Sequence, residues 1–114
     1  LEQARAAFEA APDSLDAKAE YAWAILGAAP LARAAEARKL AEEVIAAAPQ
    51  HAIAQALLAR TELRMRKEDD ARQRLEAVFD PAAPHFVVVG LLGRMYLEQK
   101  EYDRAAAVFE AGLK

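Results

Sequence analysis

At 114 residues, 55% hydrophobic and 29% charged, the chain has the balance of a folded domain and not of a disordered one. Its net charge of −3, with 15 Lys and Arg interspersed among 18 Asp and Glu, offers no basic patch for nucleic acid. The absence of cysteine removes disulfides, thiolate metal sites and thiol redox chemistry, and leaves reducing and oxidising compartments equally compatible.

Alanine is by far the commonest residue, against no Asn, one Ser and one Thr, a composition that costs little side-chain entropy in helices. Seven helices are expected, over about 1–11, 14–28, 31–48, 51–66, 69–80, 85–99 and 102–114. Pro12 closes the first, and Asp13-Ser14 supplies acceptors for the open amides of the second. The segment Gly27 to Pro30 marks the next turn, Pro49 ends the third helix, and Glu68-Asp69-Asp70 sets negative charge where the macrodipole of the fifth favours it. Pro81 and Pro84 separate the fifth from the sixth. The longest uncharged apolar stretch, Tyr21 to Ala32, falls short of the roughly 20 residues that cross a bilayer and is interrupted by Pro30, so no membrane insertion is expected.

Registering the chain on itself aligns Ala37, Ala71 and Ala105 at one constant interval, a period of about 34 residues, and with them Ala41, Leu75 and Phe109, then Val44, Val78 and Gly112. In the other half of each unit Tyr21, Leu58 and Leu92 correspond, followed by Ala22, Ala59 and Gly93. There the first interval is longer by three, which assigns three extra residues to the turn at Gly27 to Pro30. Ala4, Ala7, Phe8 and Pro12 match Ala41, Val44, Ile45 and Pro49 at that same longer interval, so the first helix reads as the second half of an earlier hairpin. The β-branched run His85 to Val89 would read alone as a strand. Its continuation through Leu92, Gly93, Tyr96 and Leu97, in register with Leu58, Ala59, Glu62 and Leu63, predicts helix instead. Small residues spread through every unit predict a thin core distributed along the molecule and no single large pocket.

These columns resemble the tetratricopeptide repeat, most fully in Leu92-Gly93, Tyr96, Ala105, Phe109 and Gly112, with Leu58, Ala59, Ala71 and Val78 in the middle unit and Tyr21, Ala22, Ile25 and Ala37 before it. Glu62 departs from the family's preference for an aromatic. The resemblance covers 1–114 as one repeat domain: a partial repeat over 1–14, repeats over 15–51 and 52–85, and a near-complete one over 86–114, read as a piece of a longer array. It implies an all-α, right-handed α-solenoid of antiparallel helical hairpins, whose concave wall is lined by the first helix of each hairpin and grips peptides or extended segments. Projected onto this chain, the family's groove-facing columns fall on Asp16, Glu20 and Trp23, then Ile53, Leu57, Arg60 and Arg64, then Val87, Leu91, Arg94 and Glu98. Ala19, Ala56 and Gly90 form a column of minimal side chains among them.

Trp and Arg carry interface energy more often than other residues, and the column Trp23, Arg60, Arg94 suits an acidic or carboxylate-bearing protein ligand. The bland alternative is that these arginines pair with Glu20, Glu62 or Glu98 and that Trp23 packs locally. His51 and His85, which hold the same place in successive repeats, lack a third imidazole or thiolate to complete a metal site, and neither cofactor nor metal is expected. Ser14 and Thr61, the only aliphatic hydroxyls, have no histidine at a motif spacing, and no glycine-rich loop cradles phosphate. The expectation is a non-catalytic protein-interaction scaffold. The alternative is a structural spacer or self-association module, accessory to a larger protein, whose apolar ends Leu1 with Phe8 and Val108 with Leu113 stack chains together.

Overall fold

A computed structural model describes residues 1–113 and contains, within them, seven α-helices and no strand: α1 Glu2–Ala10, α2 Leu15–Ala28, α3 Ala34–Ala47, α4 Ala52–Arg64, α5 Glu68–Val78, α6 Phe86–Glu98 and α7 Tyr102–Leu113. No described helix is long and apolar enough to cross a membrane. The expected end of the last helix at Lys114 lies outside the described residues.

The helix starts follow from local chemistry. Ser14 Oγ accepts the Ala17 amide at 3.2 Å and opens α2, a cap whose loss typically costs about 1 kcal/mol. His51 and His85 hold the equivalent positions before α4 and α6, where Nδ1 of each ring accepts from the Ala54 amide at 3.5 Å and the Val87 amide at 3.2 Å. The turns leading to Ser14 and His51 are the same: each amide donates three residues back, to Ala11 and Ala48, across a proline. Before α6 the connection is longer, and the Asp80 carboxylate accepts the Ala82 amide between Pro81 and Pro84. The β-branched run is helical, as the register predicts, with Val88 and Val89 buried.

Two hairpins close in one way. Arg66 and Lys100, again one repeat interval apart, both sit in the left-handed region at φ 61° and 63°. Around them Lys67 donates to Glu62 and Arg66 to Leu63, while Glu101 donates to Tyr96 and Lys100 to Leu97, the paired bonds of a Schellman cap. The first hairpin differs. Its helix α2 is one residue longer than α4, running through Gly27 to Ala28, and the turn over 29–33 is two residues longer than that over 65–67, so the three extra residues extend past the expected Gly27 to Pro30 and α3 begins at Ala34, three residues later than expected. Pro30 explains the shift, since the residue before a proline is driven out of helical conformation, and Ala29 has φ −141° and ψ 70°. The Arg33 amide then donates to Ala29 before α3 starts.

Each helix packs on its neighbours in sequence, α4 packs also on α2 and α6, and no other pair of described helices comes together, in a molecule 43 × 29 × 24 Å. The core is correspondingly divided. One cluster joins Ala19, Ala22, Ile25, Leu26, Ala37, Ala41 and Val44 to Ala54, Leu57 and Leu58 of α4. The other joins Ala59 of the same helix to Ala71, Leu75, Val88, Leu92, Tyr96, Ala105 and Val108. Within it volume is traded between partner helices. A Cβ on Gly93 would lie 2.4 Å from the Phe109 ring, whereas the equivalent places in the earlier hairpins hold Ala59 with Leu75, and Ala22 with Ala41, all fully buried.

Candidate functional site

The sequence-derived candidates lie on α2, α4 and α6, which run parallel. Asp16 in the first turn of α2 accepts from His51 Nε2 at 2.7 Å, and His51 immediately precedes α4. His85, preceding α6, lines one open cleft of about 380 Å³ with Asp16, Glu20, His51 and Ile53, so the three helix N-termini share an edge. Because Nδ1 of His51 faces the Ala54 amide, the ring proton belongs on Nε2, from which it donates to Asp16. Both histidines are thereby engaged at helix starts, and among the described residues no three His, Asp or Glu side chains converge to hold a metal ion.

Farther along the same helices, the Arg60 guanidinium of α4 lies over the Trp23 ring of α2, 4.8 Å from its centroid. Trp23 is half-buried against the first core cluster, so its ring offers one face to Arg60. Among the described residues no carboxylate forms an ion pair with Arg60. Of the acidic residues weighed as its partners, Glu62 receives a two-pronged bond from Arg74 at 2.8 and 3.1 Å, Glu98 lies 3.9 Å from Arg94 with both of those side chains exposed, and Glu20 is exposed and forms no ion pair among the described residues. Burial first, and then the like charges of Arg64 and Arg94, pull the Arg60 guanidinium below the usual arginine pKa.

The remaining candidates divide. Ile53, Val87 and Leu91 are partly buried, and Asp16, Glu20, Arg64, Arg94 and Glu98 are exposed. Leu57 has no accessible surface and belongs to the first core cluster, so it supports the face from behind and cannot touch a ligand. Arg64 also departs from the expected column, because its Nη1 donates to the Pro30 carbonyl at 2.8 Å and ties α4 to the 29–33 turn. In the column of small residues Ala19 and Ala56 are sealed, whereas Gly90 faces open space. The two alanines lie under the next even-numbered helix, and no described helix follows α6 in that position.

Sequence reasoning missed a polar cluster behind this face. Arg72 lies over the Tyr96 ring at 5.1 Å and bonds Glu76 and Glu101, and the Tyr96 hydroxyl donates to Glu76. These residues fasten α5 to the last hairpin. An i, i+4 pair at Arg72 and Glu76 was the only local signal. The two hydroxyls weighed for catalysis are committed to backbone: Ser14 caps α2, and buried Thr61 donates to the Leu58 carbonyl at 2.7 Å. In comparisons with protein-family models, curated proteins and solved structures, nothing matches this chain.

Proposed function

We propose that this chain is a non-catalytic protein-interaction module, a right-handed solenoid of tetratricopeptide-like hairpins that holds a peptide or extended protein segment bearing acidic residues in a concave groove along α2, α4 and α6. The architecture draws support from contacts confined to successive helices and to the series α2, α4, α6, and from the paired caps at Arg66 and Lys100, one repeat length apart. The function rests on one observation above the others: Arg60 is held on Trp23 beside two further arginines with no carboxylate against it. A guanidinium kept partly desolvated among like charges is stabilised by an arriving carboxylate, which it can grip in a forked geometry. Leu91, one turn before Arg94, supplies apolar surface near it, and Ile53 and Val87 add more toward the N-terminal edge of the same face.

Selection from a random dodecapeptide display library tests the reading. Peptides that carry Asp or Glu should be enriched on the wild-type chain, and Arg60→Glu with Arg94→Glu should cut their retention by about tenfold or more, the scale of one interface hot spot. Equal retention by both proteins would remove the groove as the site.

Self-association is favoured by a separate observation on α6, the last of the three helices. Phe86 is 80% and Leu97 45% exposed, and Gly90 is open, where their counterparts Ala52 and Leu63 are partly covered and Ala56 is sealed. The expected apolar ends are otherwise reduced. Phe8 stacks on Tyr21 at 5.2 Å and Val108 is buried, leaving Leu1 and Leu113 exposed. Light scattering over a concentration series decides between the readings: a constant monomer mass would eliminate self-association, and a rising mass that Phe86→Glu abolishes would establish it.

A further inference from the structure

The face formed by α2, α4 and α6 carries opposite charges at its two edges. Asp16 and Glu20 stand at the shared N-terminal edge beside the cleft lined by His51 and His85, and the arginines stand toward the opposite edge. Along α2, Asp16 precedes Trp23, the ring beneath Arg60, by seven residues, about 10 Å at 1.5 Å per residue, and Glu20 lies one turn from that ring. At that distance opposite unit charges attract by only about 0.4 kcal/mol in water, a Debye length of about 8 Å screens even this, and among the described residues neither Asp16 nor Glu20 forms an ion pair with an arginine. The two edges therefore do not neutralise each other. Asp16, though it accepts from His51, and Arg94, though 3.9 Å from Glu98, keep exposed side chains that a ligand can reach, as does Glu20, and partly buried Ile53, Val87 and Leu91 lie on the same helices.

We infer that the segment bound on this face is of mixed charge, with a Lys or Arg set against Asp16 and Glu20, an Asp or Glu set against Arg60 and Arg94, and apolar side chains between them. This rests on the groove reading above and narrows its ligand class. An acidic segment without a basic residue satisfies Arg60 but brings like charge toward Glu20, and a basic segment has the opposite fault. An extended chain advances about 3.3 Å per residue, so ligand charges of opposite sign about three to four residues apart match the span.

Three labelled dodecapeptides with the same apolar residues test this by fluorescence anisotropy at low salt: one with Glu alone, one with Lys alone, and one with Lys and Glu four positions apart. The mixed peptide should bind the wild-type chain about tenfold more tightly than the acidic one, and the basic one should bind least. Glu20→Lys, at an exposed position, should reverse the order, weakening the mixed peptide and tightening the acidic one, because an attracting charge replaces the repelling one. Acidic and mixed peptides binding equally would overturn the mixed-charge inference and leave the groove reading standing. If no Glu-bearing peptide binds the wild type, or if binding survives Arg60→Glu, the groove reading itself fails.

Discussion

The Arg60 guanidinium rests 4.8 Å from the centre of the Trp23 ring, in the company of Arg64 and Arg94 and without a carboxylate among the described residues. A charge held under these conditions works against folding, because its desolvation and its like-charged neighbours disfavour the folded state. Arg60→Met retains a long side chain against the ring, with a sulfur contact of about the strength of the cation–π contact it replaces, and removes the charge. We expect the melting temperature to rise by about 2–4 °C, roughly 0.5 kcal/mol, while acidic peptide binding falls. Calorimetry on the two proteins checks this, and a lower melting temperature for Arg60→Met would make Arg60 a structural residue.

Arg66 and Lys100 adopt left-handed backbone angles that cost a side-chain-bearing residue about 1 kcal/mol relative to glycine. Arg66→Gly and Lys100→Gly should each stabilise the fold by about 0.5–1 kcal/mol, additively because they close different hairpins. Met65→Gly and Gln99→Gly, one residue earlier at φ −87° and −89°, should bring no gain. Urea titration of the four variants separates the left-handed positions from their neighbours.

What could be read from the sequence follows the same division. Ala37, Ala71 and Ala105 made the period visible because a buried contact between hairpin partners recurs with the repeat, and the prolines made the helix ends visible because their effect is local. The caps at Arg66 and Lys100 carried no glycine to announce them, and histidine is an uncommon acceptor at a helix start. Leu57 and Leu91 share one column, yet the first is sealed and the second is partly exposed, because α6 covers α4 while no described helix covers α6. Such a difference depends on position in the stack. The seat of Arg60 on Trp23 was equally hidden, since it joins two helices that the sequence does not place side by side.

Gly93 is required by Phe109, whose ring fills the space a Cβ would take. Alanine improves helix propensity by about 1 kcal/mol, but overpacking a core contact costs about 1–3 kcal/mol, so Gly93→Ala should destabilise the chain by roughly 1 kcal/mol. Combined with Phe109→Leu it should recover most of that loss, because Ala59 with Leu75 already packs in this way one repeat earlier. A double-mutant cycle in denaturant gives the coupling, and additive losses would refute the exchange of volume between the two helices.

The Tyr96 hydroxyl and the Glu76 carboxylate place a titratable bond between α5 and α6. Burial, reinforced by Glu76, pushes the Tyr96 phenol up to about 12, while the Tyr96 bond and then Arg72 hold the Glu76 carboxyl below its usual range. For Tyr96 the folded value exceeds the unfolded one, near 10, so its contribution is complete below pH 10 and is lost as pH rises toward 12. For Glu76 the folded value is depressed, so its contribution is present above its unfolded value and disappears as pH falls through the folded one. Tyr96→Phe removes the bond at every pH. Wild type should therefore exceed Tyr96→Phe by about 1 kcal/mol at pH 7, the scale of a hydrogen bond to a partly exposed charge. The difference should shrink toward zero by pH 12, where the wild-type phenol ionises, and should narrow again in acid as Glu76 takes up its proton. Denaturant titrations of both proteins at pH 3, 7, 10 and 12 measure that difference directly. A gap that stays constant from pH 7 to 12 would mean that the hydroxyl contributes by packing and not through the carboxylate.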